Sequence, residues 1–98
     1  VIDLPSVFSL QDRGVLLTGA TAGLGRRFAQ VLVDAGARTV LVARRKQLLD
    51  ELVAELGPLA SSITADLSDP ARAAEVAAQA LQEVGHIDVV VNNAAFVP

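Results

Sequence analysis

No cysteine, methionine, tryptophan or tyrosine occurs among the 98 residues, and three phenylalanines are the only Phe, Trp or Tyr side chains. Without thiols there is no disulfide, no thiolate metal site and no cysteine nucleophile, and nothing points to an oxidising compartment. Without tyrosine no phenol can serve as an acid. Basic residues are outnumbered, 8 against 11 acidic ones, for a net charge of -3. That balance argues against general nucleic-acid or anionic-membrane binding and restricts any cation site to a local cluster. Long apolar runs are missing as well: none approaches the roughly 20 residues of a membrane-spanning helix. The N-terminus lacks the basic start and apolar block of a secretory signal. A cytoplasmic protein without a membrane or nucleic-acid partner is expected.

What is present suffices for a fold. Hydrophobic residues make up 52% and charged ones 19%, too apolar and too weakly charged for a disordered chain. A chain of this size forms at most one compact unit and buries roughly two thirds of its unfolded surface. It has no initiator methionine, and Ala94-Ala95-Phe96-Val97-Pro98 runs on from an apolar segment without a charged tail. A fragment of a longer protein is therefore expected.

Strand-like and helix-like segments alternate. Val15-Leu16-Leu17-Thr18 is a short apolar run that stops at a glycine-rich turn, as a buried parallel strand does. Leu24, Phe28, Val31, Leu32 and Ala35 then fall on one helical face, and Gly36 supplies a left-handed stop. Thr39 to Ala43 is a second β-branched run. Leu48, Leu49, Leu52, Val53 and Leu56 mark a second helical face, closed by Gly57-Pro58. Ile63-Thr64-Ala65 is a weaker third strand. Asp69-Pro70 reads as an N-cap followed by proline at the first helical position, and Ala73, Val76, Ala77, Ala80, Leu81 and Val84 trace a third stripe ending at Gly85. Val89-Val90-Val91 is the most continuously apolar strand, which implies cover on both faces. The order β-α-β-α-β-α-β predicts an α/β fold with an open, doubly wound parallel sheet of about four strands and three crossover helices. In such sheets ligands sit beyond the carboxyl ends of the strands.

The residues at those ends are informative. Thr18-Gly19-Ala20-Thr21-Ala22-Gly23-Leu24-Gly25 opens a helix with a Gly-x-x-x-Gly-x-Gly spacing. The glycines permit a tight turn and a close backbone approach, and the helix N-terminus offers free N–H groups to a pyrophosphate. The plainer alternative is a glycine-rich turn without a ligand. The second strand ends in Ala43-Arg44-Arg45, with no carboxylate of the kind that NAD-binding proteins offer to the adenosine ribose. Two guanidiniums suit a ribose 2′-phosphate, so NADP is the expected cofactor, with NAD less favoured. Alternatively, Arg44, Arg45 and Lys46 are the solvated start of the second helix. Cations there oppose the helix dipole by a few tenths to about 1 kcal/mol each, a cost that a bound anion would offset. Asp66 after the third strand suits either a loop cap or a ligand contact. Asn92 and Asn93 after the fourth strand carry two amides that need several partners each. His86, beyond a helix C-terminus, reads as a solvated structural residue.

Together these segments resemble the short-chain dehydrogenase/reductase family, from the lead-in Phe8-Ser9-Leu10-Gln11-Asp12-Arg13-Gly14 to Asn92-Asn93-Ala94-Ala95. The resemblance implies a Rossmann-like fold and an NADP-dependent oxidoreductase that transfers hydride between a nicotinamide and a carbonyl or alcohol carbon. Residues 1–98 would form a partial NAD(P)-binding domain of it. It further implies that Gly19, Thr21, Ala22, Gly23, Leu24 and Gly25 line the pyrophosphate, and that Arg44, with Arg45 secondary, holds the 2′-phosphate. Asp66 and Leu67 would meet the adenine, and Asn93, Ala94 and Ala95 the adenosine ribose region. Thr18 and Asn92 would tie the central strands together. Two positions depart from the family pattern: Ala95 stands where the last motif has glycine, and Ala22 where many NADP-preferring members carry a basic residue. The family's catalytic Tyr, Lys and Ser follow the segment at which this sequence ends, so no catalytic residue is assigned and the 98 residues alone are not expected to turn over substrate. No metal site is expected, and a homo-oligomer is. A non-catalytic dinucleotide-binding or interaction module and a fragment of a polyketide-type ketoreductase are the alternatives. Self-association along Val89-Val90-Val91 is a further expectation, since an uncovered apolar edge exposes unpaired backbone groups.

Overall fold

The computed structural model describes residues 9–21 and 23–92. Along the chain run β1 (Gly14–Thr18), α1 (Gly23–Asp34), β2 (Arg38–Ala43), α2 (Lys46–Leu56), β3 (Ala60–Thr64), α3 (Pro70–Val84) and β4 (Val89–Asn92). The strands form one sheet in the order β3-β2-β1-β4, every neighbouring pair parallel. This is the expected Rossmann-like, doubly wound α/β arrangement. β1 is central and buried along its whole length. Its register places Thr18 beside Val42 on one side and beside Asn92 on the other.

Alternation along the strands divides the core in two, because successive side chains point to opposite faces. On one face Leu17, Leu41 and Ala60 pack with Ala29 of α1 and Leu49, Leu52 and Leu56 of α2. On the other, Leu16, Val40, Val42 and Ile63 pack with Val76, Ala80 and Val84 of α3. The helix ends follow local chemistry. Asp69 accepts a hydrogen bond from the Ala71 N–H at 3.0 Å with Pro70 next in the chain, while Gly57 and Gly85 close α2 and α3 through amides donated to Val53 and Leu81.

Two expectations change. Only part of the expected α1 stripe faces the sheet: Leu32 packs against the core, whereas Leu24, Phe28 and Val31 are exposed, and the fully buried positions are Gly25 and Ala29. Small residues let the helix axis approach the strands, and that approach, not side-chain size, selects the inward face. β3 begins at Ala60, before Ile63, because Ser61 and Ser62 pair with Val40 and Leu41 despite their polarity. Among the described residues β4 pairs only with β1, and Val89 and Val90 are 40% and 61% exposed.

Candidate functional site

Because all the strands are parallel, the segments that follow them emerge on one edge of the sheet. At the end of β1 the chain turns through Gly19, whose φ of 66° lies in the left-handed region that favours glycine, and enters α1 at Gly23, with φ 33°. The Ala20 N–H donates to the Val42 carbonyl at 3.4 Å, which fastens the turn over the end of β2. Ala20 is fully buried, Gly19 and Thr21 are half-buried, and Gly23 and Leu24 are exposed at the mouth of the helix. Gly25 lies buried one residue further in. Among the described residues a Cβ built on Gly23 meets nothing within 4 Å. The first turn of α1 holds no acidic residue. Its partial positive charge is therefore not neutralised locally.

Beyond β2, Arg44 and Arg45 are both exposed, and Arg45 is the N-cap of α2 without a side-chain capping bond. Beyond β3, Asp66 Oδ1 accepts from the Ser68 N–H at 3.0 Å in a local turn. That amide, then the Ser68 hydroxyl and the Arg44 charge, hold the Asp66 carboxyl below the usual carboxylate range. Arg44, which follows a different strand, makes the smallest of these contributions. Leu67 is half-buried and packed against the core cluster of β2, β3 and α3. At the end of β4, Asn92 Oδ1 accepts from the Thr18 hydroxyl at 3.0 Å, tying the two strands at their carboxyl ends. Ala22, Asn93, Ala94 and Ala95 lie outside the described residues.

The opposite edge carries a polar cluster that local sequence patterns do not reveal. Asp88 Oδ2 accepts from the Gly14 N–H at 2.9 Å, and the Asp88 N–H donates to the Gly14 carbonyl at 2.8 Å. Arg13 lies 3.6 Å and His86 3.0 Å from the same carboxylate. His86 Nε2 also sits 2.8 Å from the Asp12 carbonyl oxygen. His86 is thus held structurally, by Asp12, 74 residues away in the chain, and by the nearby Asp88. The only available signal was a carboxylate at the start of an otherwise apolar strand. A hollow of about 230 Å³ lined by Arg38, Leu59 and Glu83 also lies at the amino ends of β2 and β3. It is remote from the glycine turn and belongs to no ligand assignment.

Residues 13–98 match the family model described as short chain dehydrogenase. Among curated proteins, the chain is 44% identical over 91 residues to dehydrogenase/reductase SDR family member 7B of Bos taurus, covering 84% of this chain and 28% of that protein. It is 37% identical over 87 residues to sorbitol dehydrogenase of Cereibacter sphaeroides, covering 89% of this chain and 34% of the relative. The chain therefore spans about a third of the length of these relatives. Among solved structures, a short-chain dehydrogenase/reductase (glucose/ribitol dehydrogenase) from Brucella melitensis superposes with a TM-score of 0.86 at 33% identity, covering 93% of this chain and 38% of that one. The 3-ketoacyl-(acyl-carrier-protein) reductase from Brucella melitensis superposes with a TM-score of 0.80 at 32% identity, covering 84% and 34%, and is complexed with NADH.

That complex overturns the expectation of NADP. The cationic start of α2 does not require a bound anion: Lys46 Nζ pairs with Asp50 Oδ2 at 2.6 Å one turn along, and Arg44 and Arg45 are exposed to solvent, where opposition to the helix dipole is small. Glycine turn, parallel order and family match agree, and the chain belongs to the short chain dehydrogenase family.

Proposed function

We propose that this chain binds NAD(H) along the carboxyl edge of its sheet and, in the whole protein, serves an oxidoreductase acting on a small-molecule carbonyl or alcohol. The observation that carries the reading is the placement of the glycine turn. It lies at the end of the central strand, whose successor β2 pairs on one side while β4 pairs on the other. Such a switch point opens a crevice at a helix N-terminus, suited to a pyrophosphate. The room for a Cβ on Gly23 among the described residues and the absence of an acidic residue in the first turn of α1 fit an anionic group there.

In this reading Gly19, Thr21, Ala22, Gly23, Leu24 and Gly25 surround the pyrophosphate. Arg44 and Asp66 address the adenosine ribose hydroxyls, with Arg45 at the rim. Asp66 and the backbone of Leu67 border the adenine, and Asn93, Ala94 and Ala95 border the adenosine ribose region. The nicotinamide, when bound, supplies or accepts the hydride. The 98 residues hold no tyrosine, so dinucleotide binding, not turnover, is the part assigned to them. NMR titration with NAD tests the reading. Saturable shifts are expected at the amides of Gly19, Thr21 and Gly25, weakened about tenfold or more by Gly23→Asp, which sets a carboxylate against the pyrophosphate. No saturable shift at millimolar NAD overturns it.

A further inference from the structure

We propose that Arg72 is a positioning residue for the adenine side of the nucleotide site: from the first turn of α3 it reaches back to the last carbonyl of β3 and fixes the direction in which Asp66 and Leu67 leave the sheet. The inference rests on the proposed nucleotide site for its ligand and on the described hydrogen bonds for its mechanism.

A cation in the first turn of a helix opposes the helix dipole, and the first turn of α3 holds no acidic residue to offset it. Arg72 stands there nonetheless. Among the described residues, of the arginine and lysine side chains in ion pairs it is the least exposed, at 35%. Its planar guanidinium lies between two acceptors, a geometry that a lysine ammonium does not span. Nη1 donates to Glu75 Oε2 at 3.2 Å, and Nη2 donates to the Thr64 carbonyl, also at 3.2 Å. The Glu75 pair is a surface contact within one helical turn, a kind that contributes little. The carbonyl contact differs, because it ties the helix to the strand eight residues back, across the loop that carries Asp66 and Leu67.

The Thr64 carbonyl and the Ala65 N–H belong to one planar peptide unit and point to opposite sides of it. The Ala65 N–H donates to the Ala43 carbonyl of β2 at 2.9 Å. With Arg72 on the carbonyl, that peptide is held from both sides, and it is the last one before Asp66. Rotation there would swing the whole loop. Further along, the Asp66 carboxylate accepts from the Ser68 N–H, and Asp69 accepts from the Ala71 N–H at the start of α3. The loop of residues 65–69 is therefore shaped by local turns, while its exit from the sheet is set by Ala43 on one side and Arg72 on the other. Leu67 adds apolar contact to the β2, β3 and α3 cluster, so loss of Arg72 should loosen the loop and not release it. Arg72 thereby acts on the adenine through the loop and not by contact.

NMR titration of the unmodified chain, Arg72→Ala and Glu75→Ala with NAD and with nicotinamide hypoxanthine dinucleotide tests the proposal. Alanine is a strong helix former, so Arg72→Ala is expected to fold. The hypoxanthine analogue replaces the amino group of adenine, a donor suited to the Asp66 carboxylate, by a carbonyl oxygen, so the unmodified chain should prefer NAD. In Arg72→Ala the affinity for NAD should fall roughly three- to fivefold. The Thr64 carbonyl and the Asp66 and Leu67 amides should shift, while Gly19 and Gly25 stay in place. The preference for NAD over the analogue should shrink in the same variant, because a carboxylate less firmly placed reads the amino group less well. Glu75→Ala should leave both affinity and preference within about twofold. Unchanged NAD affinity in Arg72→Ala overturns the proposal, as does an equal fall for both dinucleotides, which would mark a general loosening. Glu75→Ala matching Arg72→Ala also overturns it, since the surface pair would then be the cause. If the unmodified chain binds neither dinucleotide, the nucleotide reading fails, and Thr64, Asp66 and Leu67 signals unmoved by Arg72→Ala overturn the tether on their own.

Discussion

The two edge strands of this sheet are held in opposite ways. β3 is gripped from both faces: Ala60 packs toward Leu52 and Leu56 of α2, and Ile63 toward Val76 and Ala80 of α3. Hydrophobic burial alone can hold its register against β2. Among the described residues β4 has less of that: Val89 and Val90 are exposed, Val91 packs against the core beside Leu17, and polar bonds from Asp88 and Asn92 join its ends to β1. The apolar face of α1, with Leu24, Phe28 and Val31, is likewise exposed. The comparison separates two sources of specificity. Burial supplies energy in proportion to area and punishes any truncation. A few directional polar bonds supply less energy but choose one alignment among several of similar hydrophobic content.

The largest effect is expected where burial does the holding. Ile63 is 3% exposed, and Ile63→Ala should cost about 2–5 kcal/mol in urea unfolding, transfer and cavity terms together. A cost under 1 kcal/mol would mean that β3 is not gripped as described. Next comes the amino end of β4. Gly14→Ala ordinarily gains about 0.4–1 kcal/mol by restricting the unfolded chain. Here the new methyl meets the His86 carbonyl oxygen, which is backbone and cannot step aside. Overpacking of that kind costs about 1–3 kcal/mol, so net destabilisation is expected, with exchange loosened first at Gly14 and in β4. A stabilised variant would show that the two backbones are not in the close approach described.

The sequence made one of these edges legible and not the other. Period-two and period-3.6 patterns located every strand and helix, and Asp69-Pro70, Gly57 and Gly85 marked helix ends because capping is a local interaction. The glycine turn was legible for the same reason: Gly19 needs its positive φ whatever the rest of the fold does. Patterns of side-chain size misjudged α1, where Gly25 and Ala29 face inward, because size says nothing about how closely a helix must approach a sheet. The Gly14–Asp88 hydrogen bond joins residues 74 positions apart, beyond the reach of any local pattern. Cofactor choice was not legible: two arginines after β2 suggest a 2′-phosphate by local chemistry alone, and the NADH complex of the similar reductase overturns that.

The smallest effect sharpens the comparison most. Val90 is 61% exposed, whereas Val42, at the same distance from β1 on the other side, is 1% exposed. Valine to threonine keeps the β-branched shape and replaces one methyl by a hydroxyl. At Val42 that hydroxyl enters an apolar cluster of Leu16, Val40 and Ile63, where an unpaired polar group costs about 1–3 kcal/mol. At Val90 it reaches water, and the change should stay within about 0.5 kcal/mol. The same chemistry on two strands that flank β1 thus reads burial directly, free of differences in shape. Equal costs at the two positions would place Val90 in a packed environment like that of Val42. A small cost at Val90 beside a large one at Val42 would show that, of the two strands flanking β1, burial grips β2 on this face and does not grip β4 at Val90.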